Sequence, residues 1–99
     1  MGELDLNVHQ PTRLRILMIL SGVDSADFNF LLNTLGLTKG NLSSHMGRLE
    51  EAGYVEVTKS FSGKVPNTAY SLTRRGRSSL DEYWRAIDDI RHGADRSER

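Results

Sequence analysis

The side chains able to do chemistry in this chain are hydrogen-bond donors and cations rather than nucleophiles or metal ligands. Lys39, Asn41, Ser43 and Ser44 lie close together in the stretch LTKGNLSSHMGRLEEAGY, Leu37 to Tyr54, and His45 and Arg48 follow them. At about 100° per residue, Leu42, Met46 and Leu49 fall on one stripe of a helix and face a core. Gly40, Ser44, Gly47 and Glu51 then face the other way, with Asn41 and Arg48 on one flank and Lys39 and Ser43 on the other. Two glycines inside a helix cost about 1 kcal/mol each relative to alanine, and close approach of another backbone is a reason to keep them. A DNA major groove supplies such a surface: helix-terminal amides favour phosphate, and Lys, Asn and Ser side chains match base edges. An ordinary solvated face with incidental glycines is the other reading. The helix by itself leaves both open.

Other chemistries find little support. His9, His45 and His92 stand at no metal-binding helical spacing from one another. The acidic pairs Glu50-Glu51 and Asp88-Asp89 are adjacent on helices, where neighbours point apart, and there is no glycine-rich phosphate loop or glycine-serine elbow. The lack of cysteine excludes disulfides, thiolate metal sites and cysteine redox sensing within the chain. Neither an enzyme nor a cofactor is expected.

The surrounding segments must position the polar helix. Thr38 is suited to cap its start and Gly53 to end it. Ahead of it, Phe28 to Gly36 forms a two-turn helix capped by Asn29 and closed by Gly36, with Phe28 filling core. Two short helices about a tight glycine turn make a helix-turn-helix. Pro11 opens an earlier helix, Thr12 to Leu20, that is apolar on several sides, with Arg13 and Arg15 expected in solvent. Leu4 to Val8 forms an extended arm or a helical turn packed on a partner, and Val23 to Asp27 a polar loop.

Beyond Gly53 the apolar period changes from 3.6 to 2. Val55, Val57, Lys59 and Phe61 share one strand face, Thr68, Tyr70 and Leu72 mark a returning strand, and 62–67 is the tip of a two-stranded wing. Lys64 at that tip suits a minor-groove or phosphate contact. Thr73 caps a last helix running to about Arg91. Arg74, Arg75 and Arg77 crowd its first turn, the unfavourable end of the helix dipole for cations unless a phosphate lies near. Leu80, Tyr83, Trp84, Ile87 and Ile90 form a long apolar stripe, which predicts a homodimer built on this helix with help from the first one. Residues 94–99 form a polar tail to a single domain spanning 1–93.

In order along the chain, Leu37, Thr38, Leu42, Ser43, His45, Met46, Leu49, Glu50, Gly53, Tyr54 and Val55 resemble the recognition helix of the MarR and ArsR-type winged-helix transcription regulators. Pro11-Thr12-Arg13-Leu14-Arg15-Ile16-Leu17 resembles the opening helix of the ArsR-type proteins. Residues 63–73 with Gly76 are similar to the wing and its exit in small MarR-like regulators. The resemblance covers about Val8 to Arg85. It implies a mostly helical α+β fold, a winged helix-turn-helix with a C-terminal dimerisation helix, and an apolar small-molecule effector of unstated identity. Two departures matter. Without cysteine, thiolate metal sensing of the ArsR kind is not carried over, and Asn67 stands where family members often have a second basic residue, so this wing should grip less firmly.

Charge distribution points the same way. The 99 residues hold 13 basic and 13 acidic side chains. Met1 to Leu37 has two basic and four acidic, Thr38 to Arg77 seven and three, and Ser78 to Arg99 four and six. Local excess positive charge thus sits on the polar helix, wing and wing exit. Five consecutive apolar residues, Ile16 to Leu20, are the longest such run, and the amino terminus lacks a signal-peptide pattern, so a cytoplasmic protein without membrane partners is expected. The sequence therefore predicts a homodimeric, sequence-specific binder of double-stranded DNA that represses transcription. Lys39, Asn41, Ser43 and Ser44 read bases, while His45, Arg48, Lys59, Lys64, Arg74 and Arg75 hold phosphates. The alternative is a winged helix that docks a protein on its small-residue track.

Overall fold

Residues 4–97, described by a computed structural model, form four helices and a three-stranded antiparallel sheet. The order is α1 (Pro11–Ser21), β1 (Ala26–Asp27), α2 (Phe28–Leu35), α3 (Lys39–Glu51), β2 (Val55–Ser62), β3 (Val65–Leu72) and α4 (Arg74–Ser97). This is the winged helix-turn-helix expected, with one strand more. Ala26 and Asp27 pair with Tyr70 and Ala69, giving the sheet order β1-β3-β2.

Short side chains set the helix starts. The Gln10 side chain accepts from Arg13 N at 2.7 Å, with Pro11 in the first turn of α1. The cap of α2 is Asp27, not Asn29: Asp27 Oδ1 accepts from Phe30 N at 2.7 Å. Its extended backbone, φ −81° and ψ 164°, ends β1 and caps α2 at once. Gly36, at φ 65°, closes α2 in the left-handed conformation, and Thr38 Oγ1 caps α3 by accepting from Asn41 N at 3.2 Å.

The core lies where these helices meet the sheet. Val8, Ile16, Leu17, Leu20, Leu31, Leu42, Met46 and Leu49 are fully buried. Each such aliphatic side chain contributes about 1.5–3 kcal/mol when removed from water. Val8 reaches this core because the amino-terminal segment turns back on its own chain, with Val8 N and His9 N both donating to Asp5 O. Of the two forms open for Leu4 to Val8, the turn is found, packed on its own domain.

β2 and β3 pair from Val55↔Leu72 to Ser62↔Val65, so the tip is Gly63-Lys64 rather than the six residues expected. Gly63 has φ 65°, and among the described residues only glycines take positive φ, which is the two-residue hairpin with glycine first. Val55 and Tyr70 are buried at the base of the wing, whereas Phe61 is 74% exposed near its tip.

α4 is clamped to the end of α3. Thr73 Oγ1 donates to Gly53 O at 2.6 Å and accepts from Gly76 N at 3.0 Å, while Thr73 N donates to Tyr54 O. A Cβ at Gly76 would lie 2.2 Å from Tyr54 O, so only glycine fits. The helix continues to Ser97, past the expected end near Arg91, because nothing from Arg91 to Ser97 breaks it apart from the weak helix former Gly93. Leu80 and Tyr83, expected at a dimer interface, are buried in their own core, where the Tyr83 hydroxyl meets His9 Nδ1 at 2.9 Å. Trp84 and Ile90 remain 41% and 43% exposed, and Ile87 packs partly against the core. Among the described residues no helix is long and apolar enough to cross a membrane.

Candidate nucleic-acid interface

α3 turns Leu42, Met46 and Leu49 into the core and leaves Lys39, Asn41, Ser43, Ser44 and Arg48 exposed together with Gly40, Gly47 and Glu51. The structure thus brings five of the expected contact residues onto one helix surface. A Cβ built at Gly40 or Gly47 meets nothing within 4 Å, so neither glycine is required by its own chain. The exposed amino-terminal turn of α3, capped by Thr38, adds backbone N–H groups to the same end of that surface.

His45 stands differently from its neighbours. It is half-buried, and its Nδ1 lies 3.2 Å from Arg13 Nη1. Arg13, expected in solvent, is only 9% exposed. Its Nε donates to Asn7 O at 2.9 Å and its Nη2 to Leu6 O at 3.0 Å. Arg13 sits on the buried side of α1 with Ile16, Leu17 and Leu20, so its guanidinium is carried under the amino-terminal turn and against α3. Burial, then the Arg13 and Arg48 cations, lower the His45 imidazole below its ordinary range. Of its two ring nitrogens, only Nε2 is left to meet a ligand. Arg15, by contrast, is exposed as expected.

The other cations lie on the wing and its exit. Lys59 and Lys64 are exposed, with Lys59 on the strand face of Val55, Val57 and Phe61 and Lys64 in the turn. Arg74, Arg75 and Arg77 are exposed in the first turn of α4, and the Arg75 side chain passes beside Gly53, two residues past the end of α3. The wing exit is thereby held at the end of the α3 surface. From Val57 to Tyr70 the wing carries two lysines and no acidic residue.

Sequence reasoning passed over Arg13, although its spacing of three, four and seven residues from Ile16, Leu17 and Leu20 put it on their stripe. Away from α3, His9, Gln10, Pro11, Leu14 and Tyr83 line a largely apolar groove of about 310 Å³ between α1 and α4. Among the described residues no three His, Asp or Glu side chains gather as a metal site.

Comparison with known proteins places this geometry. The family model for the winged helix DNA-binding domain matches residues 12–90. An uncharacterized protein of Methanocaldococcus jannaschii is 42% identical over 72 residues, covering 72% of this chain and 77% of that protein. The structure of a transcriptional regulator homologue from Pyrococcus horikoshii OT3 superposes with a TM-score of 0.82 at 29% identity, over 90% of this chain and 88% of that one. A structure assigned to the MarR family of transcriptional regulators, from Enterococcus faecalis V583, gives a TM-score of 0.74 at 20% identity, over 94% and 84% of the two chains. That last likeness speaks for the fold alone.

Proposed function

The chain belongs to the winged helix DNA-binding domain family, and from that premise we propose a transcriptional regulator that binds double-stranded DNA sequence-specifically as a homodimer in the cytoplasm. The observation that carries this reading is the outer face of α3: small donors, two glycines its own chain does not need, and cations at the neighbouring wing and wing exit. In this reading α3 enters the major groove, where Lys39, Asn41, Ser43 and Ser44 meet base edges. Arg48, Lys59, Lys64, Arg74 and Arg75 hold phosphates, and His45 does so through Nε2. Repression by occlusion needs nothing beyond occupancy of a promoter, and no catalytic step belongs to the mechanism. The groove beside Tyr83 is the proposed place for an apolar effector, since it lies between α1 and the helix proposed to join two subunits.

Selection of bound duplexes from a random-sequence pool tests this. Wild type should enrich a near-palindrome, and Asn41→Ala should blur it. Lys64→Ala should weaken all sequences alike and lower the salt slope of binding by about one unit. A pool that stays unenriched, with binding indifferent to salt, would reject the DNA reading and make the small-residue track of α3 a protein-docking surface.

A further inference from the structure

We infer that Arg13 is a positioning residue: it holds His45 as the Nε2–H tautomer and turns that N–H outward, so that α3 offers a neutral donor to a phosphate oxygen. The second half of this rests on the DNA-binding reading; the first does not. A guanidinium can only donate hydrogen bonds. Nδ1 of His45, 3.2 Å from Arg13 Nη1, is therefore the acceptor, and the ring proton sits on Nε2. Nε2 has no partner among the described residues, and no side-chain nitrogen or oxygen among them is buried without one. It is consequently not sealed from solvent. His45 follows Asn41 by four residues and precedes Arg48 by three, so its free edge belongs to the surface that those two side chains share.

Arg13 is itself fixed. The Leu6 and Asn7 carbonyls take two of its N–H groups, and it makes no ion pair among the described residues. The charged groups facing His45 are Arg13 from α1 and Arg48 from α3. Beyond them, in the amino-terminal turn, Asp5 acts on Arg13, while its carboxylate accepts from the Tyr54 hydroxyl and from Asn7 N. Protonating Nδ1 would remove the acceptor Arg13 uses and set a third cation beside two others. Burial and the two arginines accordingly favour the neutral ring.

A neutral donor has a distinct signature at a phosphate, because removing it displaces no counterion. His45→Asn keeps an acceptor near the Nδ1 position and loses the outward N–H. It should weaken binding of the duplex selected by wild type about five- to tenfold with the salt slope unchanged. Nitrogen-15 spectra of the imidazoles in the full chain give the independent readout. His45 should appear as the Nε2–H tautomer in the free protein, and Arg13→Met should mix the tautomers. If Arg13→Met does not fold, Arg13→Lys retains one donor and should retain the tautomer. An Nδ1–H or mixed His45 in wild type, or Arg13→Met with its tautomer unchanged, overturns the inference. So does a fall in salt slope in His45→Asn. A wild type that shows no salt-dependent duplex binding removes the phosphate contact and the DNA reading together, whereas the tautomer in the free protein judges the Arg13–His45 bond by itself.

Discussion

Glycine is kept in this chain for opposite reasons at positions that look alike in the sequence. At Gly76 a methyl group would collide with the Tyr54 carbonyl 2.2 Å away, at the point where the wing returns to the end of α3. Gly76→Ala should therefore cost about 2 kcal/mol or more, seen as a lower thermal midpoint, because backbone rather than a side-chain tip must yield. An unchanged midpoint would mean that the Gly53–Gly76 clamp moves freely. Gly40 and Gly47 meet nothing. Alanine at either should raise stability by about 1 kcal/mol through helix propensity while weakening duplex binding, if close approach of DNA is what retains them. Alanine variants that gain stability and lose no affinity would remove that reason. The periodicity of Leu42, Met46 and Leu49 was enough to put both glycines outward. Gly76 was marked only by its likeness to a wing exit, and the reason for it comes from a carbonyl 22 residues earlier in the chain, visible only once the wing has folded back.

Among the elements, α3 was the most legible, since a strong cap, Thr38, and one clean apolar stripe agree about where it starts and which way it faces. The strand β1 was not, because two residues carry no period, and with it went the cap of α2: Asp27 and Asn29 are equally good capping residues, and the pairing of Asp27 with Ala69 decides between them. The joint between α1 and α3 was misread for a plainer reason, since arginine on an apolar stripe is usually solvated at its tip. Here two carbonyls and an imidazole nitrogen replace water. That joint has a pH dependence of definite sign. His45 binds protons less readily folded than unfolded, so the unfolded chain takes them up first as pH falls. Its contribution to stability is complete above the ordinary value of 6.5 and is lost as pH falls through the lower folded-state value. Thermal midpoints measured from pH 8 to pH 5 should drop more steeply below 6.5 in wild type than in His45→Asn. Parallel curves would show that folding leaves the proton affinity of the His45 imidazole unchanged.

At the scale of the molecule, the chain measures 63 × 25 × 21 Å, far longer in one direction than a domain of 99 residues needs. Much of that length is α4, whose 24 residues span about 36 Å at 1.5 Å per residue. Its apolar stripe was read from the sequence as one dimer surface, but periodicity cannot say which part of a stripe its own domain covers. Leu80 and Tyr83 are covered; Trp84 and Ile90 are not, and Met18 on α1 is 48% exposed. The proposed interface is thereby narrowed to the middle of α4, with Ile87 between its two exposed neighbours, and Met18 is the residue through which α1 would contribute. A two-fold pair joined there would place two α3 helices at half-sites about 34–36 Å apart, one turn of duplex. The charge pattern suits that arrangement, since the basic excess lies on α3, the wing and the wing exit, while the segment from Ser78 onward is net acidic. Trp84→Glu and Ile90→Glu should each convert a dimer to a monomer in sedimentation velocity with helical content retained. Affinity for a palindromic site should fall more than about tenfold, as one module loses the effective concentration supplied by the other. Single half-site binding should be nearly unaffected, which separates loss of pairing from damage to the DNA-binding face. A wild type that sediments as a monomer at tens of micromolar would rule out α4 as the joint and leave its exposed tryptophan to another partner.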